Sequence, residues 1–171
     1  MRDKSFAFKK GSDFETSVFL TLKNELREAF VMCDVHIPFT PIPAQIDIVV
    51  VIGWSFHVLE LKNYDIGLVG RLGDNRWTAK TNTRSFSIQN PIMQNTTQSF
   101  KLIQILRAHE FPPPREIKGF VVVPITCRLD VDKHLKQAIV TVDQFIASAK
   151  TAKPGAGDIE KLRRLFLQWK V

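Results

Sequence analysis

The sequence predicts an α/β fold of the mixed α+β kind, an αβββαβ core in which helices cover both faces of a mixed sheet. Three observations carry that expectation. An amphipathic helical period opens the chain. A block of β-branched strands bounded by turn residues follows. A second helix with its own cap then leads into a further apolar strand.

Ser12 to Phe30 reads as the first helix. Phe14, Val18, Leu22, Leu26 and Phe30 recur at helical spacing, with Phe19 and Ala29 beside them. Ser12 suits the N-cap, and Gly11 lets the chain turn into it. Val31 to Pro38 is a short strand, and Pro38, Pro41 and Pro43 force a loop. Gln45 to Ile52 and Ser55 to Lys62 are strands rich in β-branched and apolar residues. Gly53-Trp54 joins them as a hairpin, and Gly at the first loop position suggests a type II′ turn.

Ile66 to Arg71 and Arg76 to Thr81 flank Gly73-Asp74-Asn75 as a second, more polar hairpin. Asn90-Pro91 caps and starts a helix that runs to about His109, where Phe111-Pro112-Pro113-Pro114 ends it. Lys118 to Pro124 reads as a buried strand. Ala138 to Val142 reads as another, followed by a short helix from Asp143. Thr151 to Gly157 reads as a flexible link. Asp158 to Trp169 reads as a last amphipathic helix, with Ile159, Leu162, Leu165, Phe166 and Trp169 on its apolar side. The expected division is residues 1–150 as one domain and 151–171 as a C-terminal linker and amphipathic helix.

The 171 residues fit one compact domain. Lys plus Arg is 24 and Asp plus Glu is 17, so the formal charge is +7 and the pI about 9.6. This balance excludes an acidic disordered chain and favours an anionic partner such as nucleic acid. There is no apolar run of the ~18 residues a membrane span needs, so no membrane role is expected. Cys33 and Cys127 form no CxxC pair, which makes a reducing, cytoplasmic location the default expectation. The four histidines show no metal-ligand spacing and read as structural or surface residues. No P-loop or Gly-x-Gly-x-x-Gly motif is present.

Ionisable residues inside apolar strands require a reason. Asp47 lies between Ile46 and Ile48; Glu60 and Lys62 flank Leu61. If Ile52 faces Ser55 across the turn, stepping back equally along both strands brings Asp47 opposite Glu60. Opposed β-residues have Cβ atoms roughly 5 Å apart. Two carboxylates there repel by about 3 kcal/mol at an effective dielectric near 20. A proton or a cation relieves this, and a hard divalent metal suits oxygen ligands. Lys62 shares a face with Glu60. An acid pair with an ammonium beside it suits phosphodiester hydrolysis. The plainer alternative is that Lys62 bridges two acids on a wet sheet face.

Glu15 has two readings. Ser12-Asp13-Phe14-Glu15 is a capping box. The helical wheel instead aligns Glu15 with Leu22 and Leu26, toward the sheet. Gln94, Gln98 and Lys101 share one polar stripe of the second helix, and Gln94 reads as either a site residue or an exposed amide. Arg71, Arg76, Lys80 and Arg84 cluster around the second hairpin beside Trp77 and Phe86, a pattern that suits phosphate contact and base stacking. For Trp77, inward packing is the preferred reading. Arg115 and Lys118 could extend the patch.

These residues resemble the PD-(D/E)XK nuclease superfamily, with its restriction-endonuclease-like core, and within it the NERD (nuclease-related domain) family. Asp47 in Gln45-Ile46-Asp47 and Glu60-Leu61-Lys62 resemble the acid and the E-x-K of that superfamily. Gly11 with Phe14-Glu15, the run Val58 to Tyr64, the hairpin residues Gly67, Gly70 and Trp77, and Asn90-Pro91 with Gln94 resemble NERD motifs in their order. The likeness covers about residues 11 to 110. Ile48-Val49-Val50 lacks the polar residue often found just after the aspartate.

The resemblance implies a metal-dependent nuclease acting on DNA. Mg²⁺ or Mn²⁺ would be held by Asp47 and Glu60, with the Leu61 carbonyl and Glu15 as further ligands. Lys62 would assist the attacking water and Gln94 would complete the site. Domains of this kind are often joined to others, which makes a helicase or other DNA-processing partner a candidate; a concerted double-strand break needs two active sites, which makes a homodimer a candidate as well. The alternatives are a catalytically weak or inactive nucleic-acid-binding module, or an interaction domain of a larger DNA-processing or defence system that docks through Leu162, Leu165 and Trp169.

Overall fold

The computed structural model describes residues 4–38, 43–151 and 158–168, the side chains of residues 4–12 excepted. Residues 39–42 of the proline loop, residues 152–157 of the expected link, and Trp169 lie outside the described residues.

The first helix, α1 (Lys4–Glu25), begins well before the expected cap and passes through Gly11 and Ser12. Ser12 is therefore inside the helix rather than at its N-cap. Once nucleated, a helix gains a hydrogen bond per added residue, so one glycine at a cost of about 1 kcal/mol does not stop it. The helix also ends earlier than its apolar period suggests, because Phe30 pairs with Val51 and begins the first strand.

That strand, β1 (Phe30–Ile37), lies antiparallel to β2 (Ala44–Ile52), which lies antiparallel to β3 (Ser55–Leu61). The β2–β3 turn has positive φ at both Gly53 (53°) and Trp54 (66°), so it is type I′ rather than the expected II′. Trp54 tolerates the left-handed conformation because its indole is anchored. The ring N–H donates to the Pro112 carbonyl at 3.0 Å, and the ring packs on Phe56 and Phe111.

The second hairpin, β4 (Gly67–Gly70) and β5 (Arg76–Lys80), is extended by an unexpected strand, β6 (Ser85–Gln89). Helix α2 (Pro91–Ala108) follows, with the Asn90 side chain accepting from the Ile92 and Met93 amides. Next come β7 (Glu116–Val122), a second unexpected strand β8 (Arg128–Val131), a 3-10 turn (Lys133–Ala138), β9 (Ile139–Val140), and helices α3 (Val142–Ala149) and α4 (Ile159–Leu167). Two sheets result, ordered β1-β2-β3-β7-β9 and β6-β5-β4-β8. In β6 only alternate positions turn inward, and β8 is four residues long, so neither carries a strong apolar signal.

Helices α2 and α4 cover one face of the larger sheet through Leu102, Ile105, Leu106, Leu162, Leu165 and Phe166. Helices α1 and α3 cover the other face through Val18, Leu22, Leu26, Phe145 and Ile146. The smaller sheet packs Leu68, Trp77 and Ala79 against Val121 and Val123. Trp77 is thus buried, as the inward reading expects. Leu162 and Leu165 are core residues, which removes them from any docking face.

Candidate active site

The site begins with a flaw in the β1–β2 ribbon. Pairing runs from Phe30↔Val51 to Cys33↔Ile48, skips Asp34 and Asp47, and resumes at Val35↔Ile46. Side chains along a strand alternate faces. Yet Met32, Val35 and Ile37, and equally Ile46, Val49 and Val51, belong to one core cluster. Both strands therefore switch faces between those points. Asp34 takes the bend with φ 52°, a conformation that Asp tolerates better than most residues. Its carboxylate accepts from Gln45 Nε2 at 2.8 Å.

The kink frees Asp47 from regular pairing. The β2–β3 ladder matches the expected register from Ile52↔Ser55 back to Ile48↔Leu59. At the next step the Leu61 amide donates to Asp47 Oδ2 at 2.7 Å. Glu60 lies on the α2 side, 1 % exposed. Its Oε1 accepts from Lys62 Nζ at 2.6 Å and its Oε2 from Gln98 Nε2 at 2.7 Å. Lys62 Nζ also donates to Gln94 Oε1 at 3.3 Å. Helix α2 can deliver these glutamines because it lies close to the sheet. Asn95 Nδ2 donates to the Val58 and Phe120 carbonyls, and a Cβ at Gly119 would collide with Asn95 Oδ1.

Electrostatics follows from this crowding. Burial first, then the Glu60 charge, pushes the Asp47 carboxyl up to about 7, while the Leu61 amide and Lys62 oppose the rise. For Lys62, burial alone would lower the ammonium, but Glu60, Tyr64 and Asp47 outweigh it and hold it above its ordinary value. Lys62 is therefore a cation at neutral pH, suited to stabilising negative charge and unsuited to removing a proton.

Glu15 is exposed rather than buried. It nevertheless faces the cluster, sharing a cavity of about 400 Å³ with Asp34, Gln45 and Asp47. Partial burial, then Asp34 and Glu60, raise its carboxyl, and Lys62 opposes them. Two residues escaped the sequence-derived site set. Gln98 was visible only as part of a polar stripe; its signal is an amide on the same α2 face as Gln94. Asp34 gave no signal, since its role depends on the kink.

Among the described residues, no three His, Cys, Asp or Glu side chains are gathered as a ready metal cluster. In kind, however, the donors fit a hard divalent cation. They are carboxylate oxygens whose mutual repulsion raises Asp47 and Glu15, and a cation would relieve that repulsion.

The basic residues divide. Arg71 is occupied within the fold, donating to the Asp130 carbonyl at 2.9 Å and lying 3.7 Å from Asp132. Arg76 and Lys80 are exposed on alternate positions of β5, Arg76 donating to Ser87 Oγ. Arg84 lies over the Phe86 ring at 5.1 Å, and Phe86 meets Tyr64 edge-on at 5.5 Å. That stack ties the hairpin to the loop just after Lys62. Arg115 and Lys118 do not join this patch. They sit at the opposite end of the β3–β7 pair, where Ser55 faces Glu116.

The family model for NERD, described as nuclease-related domain, matches residues 10–124. No curated protein and no solved structure matches the chain.

Proposed function

The chain belongs to the nuclease-related domain family, and from that membership we propose that it is a metal-dependent nuclease that hydrolyses DNA phosphodiester bonds. One observation carries this reading. A buried Glu60–Lys62 pair is clamped by two α2 glutamines, beside an Asp47 carboxyl that is pushed up to about 7. Such opposed environments for neighbouring ionisable groups mark functional sites more often than structural ones.

Asp47 and Glu60 would hold Mg²⁺ or Mn²⁺, with Glu15 and the Leu61 carbonyl as further ligands; the bound cation would polarise the phosphate and acidify a water. The rest falls to the chain itself. The Leu61 amide orients Asp47. Gln98 fixes Glu60 from the side opposite Lys62. Lys62, held protonated, offsets charge on the phosphoryl oxygens as the bond to the leaving oxygen breaks. Gln94 limits where Lys62 can swing. Arg76, Lys80 and Arg84 supply phosphate contacts from the neighbouring hairpin.

A second reading, binding without cleavage, draws on the engagement of both Glu60 oxygens by Lys62 and Gln98. Incubation with linear and circular DNA in Mg²⁺, Mn²⁺ or EDTA decides between them. Cleavage with metal, lost by about 10²-fold or more in Asp47→Ala and Lys62→Ala, is the expected result. Cleavage that persists in both variants excludes this site, and salt-sensitive binding without cleavage in either metal favours the second reading.

A further inference from the structure

The chain has 13 phenylalanines but a single tyrosine, Tyr64, and that tyrosine stands just beyond Lys62. Its amide donates to the Lys62 carbonyl at 3.0 Å, a tight bend that turns the chain as it leaves β3. The Tyr64 ring packs against the cluster of Leu68, Trp77 and Val121, as do Phe86 and Ile88 of β6 and Ile92 in the first turn of α2. It meets Phe86 edge-on at 5.5 Å, and Arg84 lies over the Phe86 ring. Gln94, which accepts from Lys62, follows Ile92 on the same helix. Tyr64 therefore occupies the seam where the basic hairpin, the start of α2 and the end of β3 meet.

Packing explains the ring but not the hydroxyl, since a phenylalanine would fill the same place. Among the described residues the hydroxyl has no hydrogen-bond partner, and it is open to solvent. The neighbouring ammonium has three N–H donors. Glu60 and Gln94 take two of them, at 2.6 and 3.3 Å, which leaves Lys62 one for a ligand. A single donor does not orient a tetrahedral phosphate; a second donor from another direction does. We propose that Tyr64 contacts the substrate, its hydroxyl donating a hydrogen bond to a non-bridging oxygen of the phosphodiester group that Lys62 faces.

Burial raises the phenol, with Lys62 opposing and Glu60 adding, and Tyr64 in turn helps to hold up the Lys62 ammonium. Tyr64 thus lies within the electrostatic reach of both groups and is a neutral donor at neutral pH. The stack of Tyr64, Phe86 and Arg84 links this contact to the outward-facing cations of the hairpin. The inference rests on the nuclease reading for the identity of the phosphate.

The test is Tyr64→Phe in the full chain, which keeps the ring on Phe86 and removes only the hydroxyl. Its melting temperature should match that of wild type. In Mg²⁺, kcat/KM for DNA cleavage should fall about tenfold or more, the loss expected for one hydrogen bond to a charged group. In EDTA, binding of a fluorescent DNA oligonucleotide should weaken about threefold or more with an unchanged salt slope, because a neutral donor releases no counterion. As Tyr64 is the one tyrosine, 3-fluorotyrosine in the otherwise wild-type chain gives a single fluorine resonance, which should move when the oligonucleotide is added. A Tyr64→Phe variant that cleaves and binds as wild type does overturns the proposal, as does a resonance unmoved by excess oligonucleotide. Activity lost together with several degrees of melting temperature assigns Tyr64 to packing and also overturns it. If the wild-type chain binds DNA but does not cleave it with metal, the nuclease reading fails, while the binding offset and the resonance still decide the contact. If Tyr64→Phe fails to fold, the resonance decides it alone.

Discussion

The Asp47 carboxylate is largely buried beside Glu60 and accepts from the Leu61 amide. Its carboxyl is raised to about 7 by burial and by Glu60, against about 3.9 in an unfolded chain. Its contribution to stability is therefore fully present below about pH 4 and is lost as pH rises through 7. An Asn at this position keeps an acceptor for the Leu61 amide without the charge. In metal-free protein at pH 8, Asp47→Asn should melt a few degrees higher than wild type, about 1–2 kcal/mol, and the two should converge near pH 4. The same variant should lose cleavage. Melting curves in EDTA across pH check the first half and DNA cleavage the second.

His57 titrates in the opposite sense. Burial pulls its folded value down to about 4, below about 6.5 for an exposed imidazole. That contribution is present above pH 6.5 and is lost as pH falls through 4, about 3 kcal/mol over the window. His57→Phe should flatten the acid limb of the stability profile.

Helix α2 acts as the lever of the site, because one face carries Gln94, Asn95 and Gln98 to the end of β3. Gln98→Ala leaves Glu60 Oε2 without that donor. It should lower Mn²⁺ affinity and cleavage by about 10–100-fold with the fold intact, as read by metal titration and circular dichroism. Gly119→Ala forces a Cβ into Asn95 and should cost about 1–3 kcal/mol by overpacking. On the smaller sheet, Arg76→Ala with Lys80→Ala should reduce the salt dependence of DNA binding by about 0.9 per lost phosphate contact. Arg71→Ala should instead destabilise the loop that Arg71 ties to Asp130 and Asp132.

At this scale the β2–β3 hairpin was legible because its register is set by a two-residue loop and continuous β-branched runs. The turn type was not, because Trp54 adopts positive φ only through its contacts with Phe111 and Pro112. Strands β6 and β8 were missed because each turns few apolar side chains inward.

Across the whole molecule, the last helix is part of the core, not an appendage to it. Leu162 is fully buried beside Leu102, Leu106 and Phe166. Leu162→Ala should cost about 2–5 kcal/mol in denaturant unfolding. The charge of +7 is likewise spread unevenly. Arg71 is spent on internal pairing, Arg76, Lys80 and Arg84 face outward near the acids, and Arg115 and Lys118 serve the far end of the sheet.

The sequence by itself determined the helix–strand order around the hairpin, its register from Ile52↔Ser55 to Ile48↔Leu59, and the Asn90 cap that starts α2. These depend on neighbours in the chain, on period 2 or 3.6, and on turn chemistry, all local quantities. The tertiary structure alone decided the double kink at Asp34 and Asp47, the Gln98 hold on Glu60, the exposure of Glu15 and the burial of His57. Each depends on which face a segment turns toward a distant partner, and packing settles that only when the sheets and helices close on one another.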